Sequence, residues 1–204
     1  LAAQAGAARR SRTYSAWLAR LDIENDNFRA ALTYALETAD AEAAYRLGAG
    51  LWQFWYTRAY AVEGRTWLDR ILAMPLPTVD AHGSHNAVNA RLRATVLFGA
   101  GANAALHGDH DRCERLGQAA LTIYRQLGDA DGAALTLNGL GVLANDHGEF
   151  TRAAALLTEA LELRRRHGPP GGLAQVLLNL AHTRMLQGSY AESYTLFAES
   201  LAIQ

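Results

Sequence analysis

The chain has 204 residues, 50% hydrophobic and 19% charged, which is enough for one sizeable folded unit and too apolar for a disordered tail. Its 41 Ala and 31 Leu against 6 Val and 4 Ile exclude an all-β or parallel-sheet fold, because helix formers far outnumber aliphatic strand formers. A formal charge of −1, with all 19 basic residues Arg and none Lys, provides neither a nucleic-acid-binding field nor an acidic tail. Cys113 is the single cysteine, so neither an intrachain disulfide nor a cysteine-based zinc site can form within one chain, and a reducing compartment, the cytoplasm, is expected. No apolar run approaches the ~18 residues of a membrane span. Leu1-Ala2-Ala3-Gln4 carries neither Met nor a signal-peptide pattern, so the sequence is expected to be part of a longer protein.

In chain order, helices are predicted near Ser11 to Leu21 and from Glu24 to Glu37. A helical pair follows, Ala41 to Tyr56 and Val62 to Ala73, in which Gly64, Leu68, Ile71 and Leu72 imitate the second helix of a repeat. Met74-Pro75-Leu76-Pro77 and then Asp80-Ala81-His82-Gly83-Ser84 cannot continue a helix and predict a connection. Beyond it the sequence repeats every 40 residues: Gly108, Gly148 and Gly188; Leu97, Leu137 and Leu177; Ala94, Ala134 and Ala174; Leu121, Leu161 and Leu201. Gly128 and Gly168 fall midway, so each repeat holds two helices, each stopped by a glycine suited to a left-handed turn.

Within one repeat, Ala134, Leu137, Leu140, Gly141 and Ala144 form one apolar stripe, and Phe150, Ala153, Leu157, Ala160 and Leu161 the next. Gly141 and Ala153 are small where two helices would meet, which predicts a close antiparallel hairpin. One of its apolar edges can be covered only by the next hairpin. The expected fold is all-α: about ten helices in stacked antiparallel hairpins, a right-handed or twisted solenoid with a concave inner face. The expected organisation is an N-terminal block with one degenerate repeat (1–74), a linker (75–88), repeats at 89–128 and 129–168, and a truncated third at 169–204.

The unit Leu137-Asn138-Gly139-Leu140-Gly141 with Ala144, Gly148, Glu149-Phe150, Ala153, Leu157 and Ala160-Leu161 resembles the tetratricopeptide repeat in its longer, forty-residue form. Leu177-Leu178-Asn179-Leu180-Ala181 with Gly188-Ser189-Tyr190 matches as well. The unit at Leu97 has His110 in the aromatic place and Gly117 in the large apolar one, and the third departs at Arg184, Ser193 and Ser200. Upstream, the run Ile23-Glu24-Asn25-Asp26-Asn27-Phe28-Arg29-Ala30-Ala31-Leu32, with Leu51-Trp52-Gln53-Phe54-Trp55-Tyr56 and Gly64-Arg65-Thr66-Trp67-Leu68, resembles another known segment. It is similar to the segment that follows the ATPase module in bacterial STAND-type regulators, including LuxR-type and SARP-type transcription factors. That resemblance implies a nucleotide-binding module and a DNA-binding effector elsewhere in the parent chain. Similar segments on bacterial cyclases and kinases leave the effector open.

If this is such a repeat, the concave surface is lined by Phe98, Ala102, Ala105 and Leu106, then Asn138, Val142 and Asn145, then Leu178, His182 and Met185. These are mostly apolar with two amides and one imidazole. Without Lys or Arg there, an amphipathic helix, an apolar peptide or a small ligand suits the surface better than a peptide's terminal carboxylate. Trp52, Trp55 and Tyr56 are a second candidate as an aromatic pocket, against the plainer expectation that they fill the junction between the N-terminal helices and the first pair. His107, His110 and Cys113 have metal-ligand residue types, but the inter-helix turn at Gly108 explains them, and no metal is expected. Arg164-Arg165-Arg166-His167 is expected on a solvated face in a last helical turn. Gly99, Gly101, Gly139 and Gly141 mimic half a dinucleotide fingerprint with no strand before them. The expected function is a non-enzymatic, cofactor-free sensor or protein-interaction region of a larger bacterial regulator, without direct nucleic-acid or membrane contact. A general assembly adaptor without ligand sensing is the alternative.

Overall fold

The computed structural model describes residues 14–58, 60–77, 86–167 and 170–203. The expected turn glycine Gly168, the Asp80 to Ser84 part of the connection and the Ser11 end of the first helix lie outside them. Among the described residues there are ten helices and no strand. They are α1 (Tyr14–Ile23), α2 (Asn25–Glu37), α3 (Ala41–Thr57), α4 (Ala61–Leu72), α5 (Ala87–Leu106), α6 (His110–Gln126), α7 (Ala130–Asp146), α8 (Phe150–His167), α9 (Pro170–Leu186) and α10 (Tyr190–Ile203). The chain divides into two compact units, Leu1–Ile123 and Tyr124–Gln204, with the boundary inside α6.

The helix ends are built alike. Gly108, Gly128, Gly148 and Gly188 all have φ between 63° and 78°. The residue after each, Asp109, Asp129, Glu149 or Ser189, donates its backbone N–H to Ala104, Tyr124, Ala144 or Arg184 O at 2.8–3.0 Å, closing a Schellman turn. Helix starts are capped where the sequence supplies an acceptor: Asp40, Asn86 and Asp129 each accept the N–H of the residue three positions on at 3.0 Å.

In the first unit, α3 packs against α4 and α5, and α2 packs against α3 and α4. Leu21, Leu32, Tyr45, Leu51, Phe54, Trp55, Leu68, Ile71 and Val96 are fully buried at its centre. Arg29 forks onto Glu63, Nε to Oε1 and Nη2 to Oε2 both at 2.7 Å, tying α2 to α4. The same guanidinium holds the Glu63 carboxyl below the usual carboxylate range.

In the second unit, α7 pairs with α8, α9 pairs with α10, and α9 packs on α8. Gly141 leaves room on α7 for Leu157 of α8: a Cβ there would stand 2.6 Å from Leu157 Cγ. The serines that depart from the repeat pattern are accommodated by hydrogen bonds. Ser193 and Ser200 are buried in alanine positions, and their hydroxyls donate to Ala181 O and Ala174 O on α9, both at 2.8 Å. The basic run is not uniformly solvated. Arg165, Arg166 and His167 are exposed, but Arg164 is 2% exposed, paired with the Asp131 carboxylate and donating to Asp131 O at 3.2 Å. Helical spacing is the reason: residue 164 continues the buried stripe of Leu157, Ala160 and Leu161 toward α7.

Candidate functional site

Two helices of the second unit carry most of the predicted inner face. On α7, Asn138 and Asn145 are half-buried and reach across to α9. Asn138 Oδ1 accepts from Asn179 Nδ2 at 2.9 Å, and Asn145 Nδ2 donates to Thr183 Oγ1 at 2.8 Å. Gln175 Nε2 donates to Asn179 Oδ1 at 3.2 Å and extends the polar row. The Oδ1 of Asn145 is enclosed without a donor. Val142, Leu178 and Met185 are each about two-fifths exposed, and His182 is exposed. The site is thus an uncharged row of paired amides and one hydroxyl, with apolar tips and one imidazole open to solvent. Asn138 is not the freely solvated amide its place in the sequence suggests, because a helix one repeat away offers it a partner.

Phe98 and Ala102 sit on α5 in the first unit, both half-buried against its core. Phe98 meets Trp52 edge-on, with ring centroids 5.3 Å apart and planes at 89°. Of the aromatic candidates, Trp55 is 1% exposed and Trp52 8%. The Trp55 Cβ lies 2.7 Å from where a Gly64 Cβ would stand, and the Trp52 Cβ and Cγ each lie 2.5 Å from the Gly99 Cβ position. Both tryptophans are core side chains of α3, and only Tyr56 opens to solvent. Gly99 therefore has a packing role that its place in a GxG pattern hides.

His107 is the exposed C-cap residue of α5. Cys113 is half-buried, its backbone O lies 3.3 Å from the position of a Gly101 Cβ, and burial, with Glu114 adding, pushes its thiol up to about 11. Among the described residues no three His, Cys, Asp or Glu side chains come together as a metal site would require. A shallow groove of about 440 Å³ lies along α8, lined by Ala154, Ala155, Thr158, Glu159 and Glu162 with Arg184 and Gln187 from the end of α9. Its carboxylates already face guanidinium groups, Glu159 with Arg125 at 2.6 Å and Glu162 with Arg166 at 3.8 Å. Among the described residues no helix is long and apolar enough to cross a membrane.

Helical hairpins with repeated glycine turns and a close small-residue contact define an all-α helical-repeat fold. Residues 92–166 match the family model described as tetratricopeptide repeat. No curated protein matches the chain. Among solved structures, BtubC (BKLC) from P. vanneervenii is similar with a TM-score of 0.71 at 18% identity, over 94% of this chain and 80% of that one. The apo form of RapI is similar with a TM-score of 0.69 at 16% identity, over 86% of this chain and 46% of that one. The TPR-like repeats of a kinesin light chain so described from Podosopora anserina give 0.58 at 13% identity, over 92% and 96%. At these identities the likeness is one of fold.

Proposed function

We propose that the chain is a non-enzymatic protein-interaction region, and that the inner face of α7 and α9 binds an amphipathic helix or apolar peptide. The observation that carries this reading is the alignment of exposed Val142, Leu178 and Met185 beside the paired amides of Asn138, Asn179 and Asn145. Such a surface offers apolar contact without charge, and its polar groups are positioned by their own hydrogen bonds. The resemblance of Ile23 to Leu32 and of the aromatic block to the segment after STAND ATPase modules supports placing the region in a bacterial signal-transducing regulator. There, binding at this face would be passed to an ATPase module and an effector domain.

Calorimetric titration with synthetic amphipathic helical peptides tests the face. Val142→Asp with Leu178→Asp is expected to weaken binding at least ~10-fold, since a charge must then be buried against an apolar partner. Glu162→Gln, on the groove along α8, is expected to leave binding unchanged. In a parent regulator of this kind the same aspartate pair is expected to abolish the response. Binding that survives the aspartate pair but is lost in Glu162→Gln would move the site to the outer groove.

A further inference from the structure

His182 stands where the preceding repeat has Val142, one 40-residue period earlier. The bonds Asn138–Asn179 at 2.9 Å and Asn145–Thr183 at 2.8 Å fix the register of α7 against α9, and Val142 and His182 fall between them. On α9, Leu178 is one turn before His182 and Met185 one turn after, positions that share a helix face. These two and Val142 are each about two-fifths exposed, and His182 is exposed with them. The apolar tips thus share their face with the one side-chain type whose ordinary charge changes between about pH 5 and 8.

Elsewhere in the second unit, charge is already matched in pairs. Each of its six arginines meets a carboxylate, from Arg125 with Glu159 to Arg184 with Glu192. On the helices packed against α9, Glu149 meets Arg152 and Glu162 meets Arg166 on α8, Glu199 of α10 meets Arg165, and Asp131 of α7 meets Arg164. The other titratable groups of α7 are Asp129, which caps its start, Asp146, exposed one turn beyond Val142, and His147, its C-cap. The charge among the apolar tips is therefore set by the proton on His182.

We propose, on the reading of α7 and α9 as the binding face, that protonation of His182 closes this face to an apolar partner, which is held at neutral pH and released in mild acid. A helix laid over Val142, Leu178 and Met185 takes water from the imidazole as well, and burial there favours the neutral form. Binding then expels a proton. Affinity is full above the histidine range and falls as the pH drops and the free protein takes that proton up.

Calorimetric titration of the chain with a capped amphipathic helical peptide of Leu, Ala and Gln, which carries no titrating group, tests the switch. The peptide is expected to bind roughly 5–10-fold more weakly at about pH 5.5 than at about pH 7.5, close to the limit for one expelled proton. Circular dichroism should show the same helix content at both. His182→Gln keeps a polar side chain that cannot gain charge, and is expected to bind equally at the two pH values, whereas His147→Gln keeps the dependence. Equal affinity of the unsubstituted chain at both pH values overturns the proposal and leaves the binding face standing. A dependence that survives His182→Gln also overturns it, and assigns the proton to Asp146 or His147. No binding at either pH removes the binding face itself, and the switch with it.

Discussion

Ala39, at φ 55°, stands in a turn of the same build as those at the four left-handed glycines. Asp40 N donates to Ala35 O at 2.8 Å, just as the residue after each glycine closes its turn. An L-residue with a Cβ pays roughly 1–2 kcal/mol for this backbone region, and glycine's larger freedom in the unfolded chain returns roughly 0.5–1 kcal/mol of any gain. Ala39→Gly is therefore expected to stabilise the protein by about 0.5–1 kcal/mol in urea denaturation. No change, or a loss, would mean that the turn is held by its neighbours strongly enough to hide the strain. At the same scale, the amides of Asn138 and Asn145 show what residue type alone conceals. Each looks like a free hydrogen-bonding group on an exposed helix face, yet each is already joined to α9.

At the scale of helices, the elements were largely legible in the sequence. The predicted pair Ala41 to Tyr56 and Val62 to Ala73 is found as Ala41–Thr57 and Ala61–Leu72. The described turn glycines sit at positive φ, because a strong 3.6-residue pattern and glycine stops both reflect local physics. Contacts between helices were less legible. Nothing local tells that Arg164, in a run of three arginines, finds Asp131 in the first turn of α7, 33 residues earlier. Nor does spacing alone tell that Trp52 lies over Gly99, beyond the connection. The Arg164–Asp131 pair also carries a prediction. With Arg164 2% exposed and Asp131 half-exposed, Asp131→Ala strips the carboxylate from an enclosed guanidinium and leaves its backbone acceptor, Asp131 O. The expected loss is about 1.5–3 kcal/mol, the range for a hydrogen bond to a charged group. Arg165→Ala, at a surface pair with Glu199, should change stability by less than about 1 kcal/mol. Equal losses in chemical denaturation would show that the burial of Arg164 adds nothing.

For the molecule as a whole, the distribution of chromophores allows the two units to be observed separately. All four tryptophans, Trp17, Trp52, Trp55 and Trp67, lie in Leu1–Ile123 and none lies in Tyr124–Gln204. Tryptophan fluorescence therefore reports the first unit, while far-ultraviolet circular dichroism reports the helices of both. In a helical-repeat protein stability is approximately a sum of unit and neighbour terms, so damage confined to one unit need not unfold the other. Leu137 is fully buried on α7 in the second unit, and Leu137→Ala is expected to remove about 2–5 kcal/mol from it through lost burial and the cavity left behind. The circular-dichroism transition should then begin at lower urea than the fluorescence transition, whereas the same probes should separate less in the unsubstituted chain. Non-coincident curves are the mark of a population in which one unit is folded and the other is not. If both curves move together by the same amount, the units unfold as one, and the deficit that Leu137→Ala creates is not confined to the second.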